Sequence, residues 1–120
     1  VWNDFLKGGV RLALSSDFAT SPFSPLVQLF DAVFRESPSG LYDGAWYPEQ
    51  RISFDEALYA YTQIGADLSG WGEEIGSITN GKWADFVILN QRLNDPVGRE
   101  LKDTLVSSTF FAGKEVYSKN

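Results

Sequence analysis

Apolar and polar positions along the chain change period twice. Val10-Arg11-Leu12-Ala13-Leu14 is a short, mostly apolar run between Gly8-Gly9 and Ser15-Ser16-Asp17, which suits a strand buried in a parallel sheet, where strict alternation is not required. Leu26, Leu29, Phe30 and Val33 then recur at helical spacing, behind Ser24 as a candidate cap and Pro25 in the first turn. Pro38, Gly40, Gly44 and Pro48 punctuate the aromatic stretch that contains Tyr42, Trp46 and Tyr47, so an irregular loop is expected over 36–50. Ser53-Phe54-Asp55-Glu56 reads as a capping box, opening a helix with Phe54, Ala57, Leu58, Tyr61, Ile64 and Leu68 on one stripe, and Gly70 ends it.

Beyond Ile75 the period becomes that of strands. Residues 84–89 read as one strand, and residues 104–112 and 115–117 as two more joined by a tight turn at Gly113-Lys114. Three strands leave edges and a face uncovered, so they want partners. Asn94-Asp95-Pro96-Val97-Gly98 is turn chemistry.

Composition narrows the function classes. Hydrophobic content of 43% and aromatic content of 15% in 120 residues argue for a folded chain rather than a disordered one. A net charge of −6 opposes binding to nucleic acid or to an anionic membrane surface, both of which draw on clustered Lys and Arg. No apolar run approaches the roughly 20 residues a membrane helix needs. The absence of cysteine excludes disulfides and favours a cytoplasmic location. Methionine is also absent and Val1 opens no signal peptide, so the chain is expected to begin inside a longer gene product.

Gly76-Ser77-Ile78-Thr79-Asn80-Gly81-Lys82-Trp83-Ala84-Asp85, followed by Phe86-Val87-Ile88-Leu89, resembles a family signature. Together with Ser16-Asp17 and Ala112-Gly113-Lys114, and with Ala32 to Arg35, Ala57-Leu58, Tyr61-Thr62 and Gly65-Ala66 between them, it resembles the C-terminal part of amidohydrolase-superfamily enzymes of the YtcJ-like type. The resemblance implies an α/β fold, α+β when the piece stands alone: the last strand-loop-helix unit of a (β/α)8 barrel and a following helical segment in residues 1–75, then strands of an accessory β-sandwich in 76–120. It implies metal-dependent hydrolysis of a carbon–nitrogen bond that is not a peptide bond, with a divalent metal, zinc first among the choices. In that family an aspartate ending the eighth barrel strand approaches the metal-bound water and shuttles its proton. Asp17 is the position that matches, as catalytic residue and, in the intact enzyme, as metal-site residue. Read from spacing alone, Ser16-Asp17 is more often a turn or capping pair.

Histidine is absent, so the family's remaining ligands cannot come from this chain, and the chain alone is expected to hold no metal and to be inactive. Asp43, Glu49, Asp55 and Glu56 are scattered over loop and helix ends and read as surface charge and caps. Gly81-Lys82 precedes a strand, not a helix, and fails the spacing of a phosphate loop, so its glycines read as turns and Asp85 as a maker of local hydrogen bonds. The aromatic loop 41–47 either lines a substrate pocket or packs over a flank. Ala19-Thr20 stands where relatives often carry proline and valine. The expected partners are the missing N-terminal part of the same enzyme, a small amide-type substrate and other copies of the chain. Two other readings stand beside this one: a free-standing α+β protein-interaction module derived from an enzyme tail, and a small carboxylate-based hydrolase, which would need a second acid near Asp17.

Overall fold

The structure, a computed structural model, describes residues 1–119. Four helices precede a small sheet: α1 (Trp2–Lys7), α2 (Pro25–Phe34), α3 (Phe54–Tyr61), α4 (Gln63–Leu68), then β1 (Phe86–Leu89), β2 (Val106–Phe111) and β3 (Lys114–Ser118). Short 3-10 turns at Pro48–Gln50 and Arg99–Asp103 complete the regular structure.

The core forms where α2 crosses α3 and the second 3-10 turn. Leu26, Leu29 and Phe30 take the buried face predicted by their spacing, joined by Ala32, Ile52, Ala57 and Leu101. Ala32, Ala57 and Leu101 have no exposed surface at all, and the two alanines let α2 and α3 approach closely. The Ile52 amide donates to the Ala32 carbonyl at 3.3 Å, which seals the return from the loop against α2.

Val10–Leu14 is not a strand. It is extended, with half-buried Leu12 and Leu14 alternating with exposed Arg11 and Ala13, and its backbone ties to other elements are single bonds at its two ends: Val10 N–H to the Phe5 carbonyl of α1 at 2.9 Å and Leu14 N–H to the Ala60 carbonyl of α3 at 3.2 Å. A parallel strand needs a neighbour's ladder, and no strand among the described residues lies beside it. Helix α1 has no counterpart among the elements the sequence predicts, because six residues with no side-chain cap carry too little periodicity. It is held from outside: Gln50 Nε2 donates to Asp4 Oδ2 at 2.9 Å, and Asn3 Nδ2 to the Glu49 carbonyl at 2.8 Å.

The predicted helix from Phe54 breaks in two at Thr62 (φ −114°, ψ −84°), whose hydroxyl donates back to the Leu58 carbonyl at 2.7 Å and competes with the helical ladder. The kink redirects the apolar stripe. Ala57, Ala60, Ile64 and Ala66 are buried, whereas Leu58 and Leu68 face outward. Both ends of the pair obey the sequence signals. Ser53 and Glu56 make the reciprocal capping box, and past Gly70 (φ +81°) the Trp71 and Gly70 amides donate to the carbonyls of Ala66 and Asp67, a Schellman closure.

The sheet is antiparallel in the order β1-β2-β3, with Phe86 opposite Phe110 and their rings stacked at 4.6 Å between centroids. Strand β1 starts at Phe86 rather than Ala84, and β2 at Val106 rather than Thr104, since Thr104 is buried and committed to the Glu100 carbonyl and to Gln91. The hairpin turn is centred on Ala112 (φ +50°) and Gly113 (φ +77°), one residue earlier than the glycine-lysine pair suggests, because a two-residue turn of the primed type needs positive φ at both central positions.

Candidate functional site

Asp17 ends the extended segment in the left-handed region at φ +47° and is exposed. The turn that follows is closed on the aspartate itself. Thr20 donates its amide to the Asp17 carbonyl at 2.9 Å, and its hydroxyl lies 2.5 Å from that carbonyl and 2.9 Å from Asp17 Oδ2. The Asp17 amide donates to Ser15 Oγ at 3.3 Å, and Ser21 Oγ, bonded to the Ser16 carbonyl, accepts from Gln28 Nε2 on α2 at 3.3 Å. Thr20 thus orients one carboxylate oxygen and leaves the other open.

No three His, Cys, Asp or Glu side chains among the described residues stand close enough to hold a metal ion. Asp17 offers one carboxylate, and catalytic zinc needs about three protein ligands. The residues present therefore do not fit a metal centre by themselves. The other acids are dispersed as the sequence implies. Glu56 closes the capping box, and its carboxyl is pulled down by hydrogen bonds from the Ser53 backbone and hydroxyl. Asp55 and Asp43 line separate cavities, and Glu49 lies against α1 through its carbonyl's bond from Asn3.

The glycine-rich stretch is structural. Lys82 Nζ donates to Gln63 Oε1 at 2.8 Å and to the carbonyls of Gly72 and Ile75 at 2.6 and 3.1 Å, which pins the loop onto α4. Asp85 Oδ1 accepts from the Ala112 amide at 2.6 Å while Gly113 N–H meets the Ala84 carbonyl at 3.0 Å. The Asp85 bond is long in sequence rather than local, and it fixes the hairpin turn against the start of β1.

Two cavities flank the core. One, of about 950 Å³, is an apolar groove between α3–α4 and the sheet, walled by Leu58, Ile75, Ile78, Phe86, Phe110 and Val116. The other, of about 700 Å³, lies between the end of α2 and the aromatic loop, lined by Asp31, Arg35, Tyr42 and Trp46 among others. Tyr42, Asp43, Gly44, Ala45 and Trp46 of the loop line this hollow. Arg35, itself left-handed at φ +56°, carries its guanidinium 4.7 Å from the Trp2 ring and 5.5 Å from the Trp46 ring, and donates to the Trp46 carbonyl at 3.1 Å. Asp31, which nothing in the sequence pattern marks out from an ordinary helix position, is half-buried in this cavity, and burial pushes its carboxyl up to about 6 against the pull of Arg35.

Comparison with known proteins places this geometry. The profile of the Amidohydrolase family matches residues 1–117. Protein LONG AFTER FAR-RED 3 of Arabidopsis thaliana is 35% identical over 117 residues, 98% of this chain. N-substituted formamide deformylase of Arthrobacter pascens is 35% identical over 114 residues, 95% of this chain. The chain spans about a fifth of each, 20% of their lengths. Among solved structures, an amidohydrolase from Thermotoga maritima MSB8 superposes with a TM-score of 0.66 at 25% identity, covering 97% of this chain and 25% of its own. E. coli guanine deaminase superposes at 0.70 with 23% identity, covering 98% and 30%, and speaks to the fold alone. With a profile match across nearly every residue and two relatives above a third identical, this chain belongs to the amidohydrolase family.

Proposed function

We propose that the chain is the C-terminal portion of a YtcJ-like hydrolase that cleaves a non-peptide carbon–nitrogen bond, with residues 1–75 completing its barrel and 76–120 its accessory sandwich. The observation that carries this reading is the family match over 1–117, within which Asp17 ends an extended apolar segment in an open turn with one carboxylate oxygen free. In the whole protein Asp17 takes a proton from the attacking water and returns it to the leaving nitrogen. Thr20 holds the acceptor in register. The divalent metal of that reaction, zinc by the chemistry of the family, would need its ligands from residues outside this chain. One relative's name, a deformylase of N-substituted formamides, supports a small amide as the substrate class. The location we propose is the cytoplasm.

Asp17→Asn in the whole enzyme tests the assignment, because the amide keeps the shape and cannot accept the proton. Turnover of a small amide should fall by about a hundredfold or more, with metal content and thermal midpoint unchanged. Turnover within a fewfold of the parent would return Asp17 to a purely turn-forming role.

A second reading, an interaction module, is favoured by the open groove of about 950 Å³ between helices and sheet. It would be preferred if the isolated chain proved a stable monomer that captured a partner through Leu58 and Phe86.

A further inference from the structure

The cavity at the end of α2 is built differently from a casual surface hollow. Its lining includes the half-buried Asp31 together with Trp2, Tyr42, Trp46 and Pro38. Its charges are mostly committed already. Glu36 is held in a two-bond fork by Arg99, Nε to Oε2 at 3.0 Å and Nη2 to Oε1 at 2.7 Å, with Arg51 at 3.5 Å. Arg35 is committed to the Trp46 carbonyl and to the faces of two indoles. The Asp31 carboxylate feels the charge of Arg35, one helical turn on, without an ion-pair contact, and no hydrogen bond holds it among the described residues. Asp43 is the second uncommitted acid of the lining.

A half-buried, unpartnered carboxylate among aromatic rings is costly to maintain, and the group that relieves it is a cation small enough to enter, carried on a flat apolar body that the rings can cover. We propose that this cavity is a binding site for an aromatic or cyclic ammonium compound, its nitrogen against Asp31 and its ring against Tyr42 and Trp46. Neutral and anionic relatives of the same ligand are selected against, because neither satisfies the carboxylate and the anion also meets Asp43. The groups facing Asp31 are Arg35 from its own helix and the Tyr61 hydroxyl from α3, which is buried without a partner, and Glu36 and Asp43 share the cavity. The raised carboxyl supports the same assignment, since an ammonium contact would bring it back toward its ordinary 3.8. The site does not depend on Asp17 or on a metal.

Benzylammonium, benzyl alcohol and phenylacetate serve as a charge series of nearly constant shape, titrated into the chain at pH 7.5 while indole fluorescence and calorimetry are followed. Benzylammonium should bind saturably, the alcohol at least about tenfold more weakly, and the acid not at all, as expected for a charge-assisted hydrogen bond in a partly desolvated site. Asp31→Asn should lose about tenfold or more of the benzylammonium affinity while its thermal midpoint holds or rises, and Asp43→Asn should change affinity by less than about threefold. Equal binding of alcohol and ammonium, retained affinity in Asp31→Asn, or no saturable binding at millimolar ligand would each overturn the proposal. Should Asp31→Asn fail to fold, the charge series on the unaltered chain still decides.

Discussion

Asp31 and Tyr61 belong to neighbouring helices, and each keeps a polar end that no protein group satisfies. Burial raises the tyrosine to about 12, with the Asp31 charge adding to the effect, and its hydroxyl finds no acceptor. Tyr61→Phe should therefore stabilise the fold or leave it unchanged, by up to about 1 kcal/mol, since an orphaned hydroxyl is removed and the packed ring is kept. Urea unfolding measures it, and a clear loss of stability would mean that the hydroxyl has a partner in solution. For Asp31 the sign follows from the two states. The unfolded chain releases this proton near 3.8 and the folded chain near 6, so the stability it contributes is full below the first value and lost as pH rises through the second. Asp31→Asn should accordingly be the more stable form at pH 7.5, by about 1 kcal/mol once solvent screening of a half-exposed group is allowed for, and the advantage should vanish below pH 4. Thermal midpoints of both proteins across that range decide the matter. The aspartate is invisible as a site in the sequence because its position on the helix is ordinary. Its surroundings are assembled from Trp2 of α1, Tyr61 of α3 and a loop that starts five residues later.

At the scale of elements, the turn between α4 and β1 rests on two residues whose types are dictated by contact. Gly76 sits at φ +96°, and a Cβ there would lie 2.8 Å from the Ala66 Cβ and 3.0 Å from the Gln63 Cα. Gly76→Ala combines backbone strain with an overlap that neither helix atom can relieve, and should cost about 2–4 kcal/mol in urea unfolding. Gly81, also left-handed but facing open space, should cost about 1–2 kcal/mol on the same substitution, and that difference separates packing from strain. Lys82→Met keeps the stem and removes three hydrogen bonds at once, leaving Gln63 Oε1 and the Ile75 carbonyl short of a donor while the Gly72 carbonyl keeps only Gln63 Nε2 at 3.1 Å. A loss of about 2–3 kcal/mol is expected, with amide exchange accelerated over residues 72–85. The glycines and lysine that catch the eye in the sequence are thus a clasp between helix and sheet. Their type was legible in advance because a left-handed turn needs glycine, whereas the identity of the acceptors needed the fold.

Across the whole molecule, apolar surface is covered unevenly. The core is tight around α2, but β1 and β3 are both sheet edges, and a groove of about 950 Å³ separates the sheet from α3 and α4. Phe111, Val116, Val87 and Ile78 are at least half exposed. Apolar area buried at about 25 cal/mol per Å² makes mutual coverage between copies favourable once a few hundred Å² are shared. The chain alone should therefore self-associate, through edge pairing or groove filling, and light scattering coupled to size exclusion should give a mass that climbs with concentration. A monomer at every concentration would sink that expectation. What the sequence by itself determined were features set by neighbours along the chain: the α2 face, the capping box at Ser53, the glycine closure of α4, the paired strands, and the family motifs that led to Asp17 and to the want of histidine ligands. The structural features among these depend on period and local hydrogen bonding, which a linear string carries, and Asp17 came from family resemblance alone. Only the tertiary structure decided that Val10–Leu14 runs extended without a ladder, that the helix after Ser53 kinks and turns Leu58 outward, that Lys82 clasps α4, and that Asp31 lies unpartnered under the aromatic loop. Each of these rests on which segments meet across tens of residues, where packing and desolvation outweigh local preference.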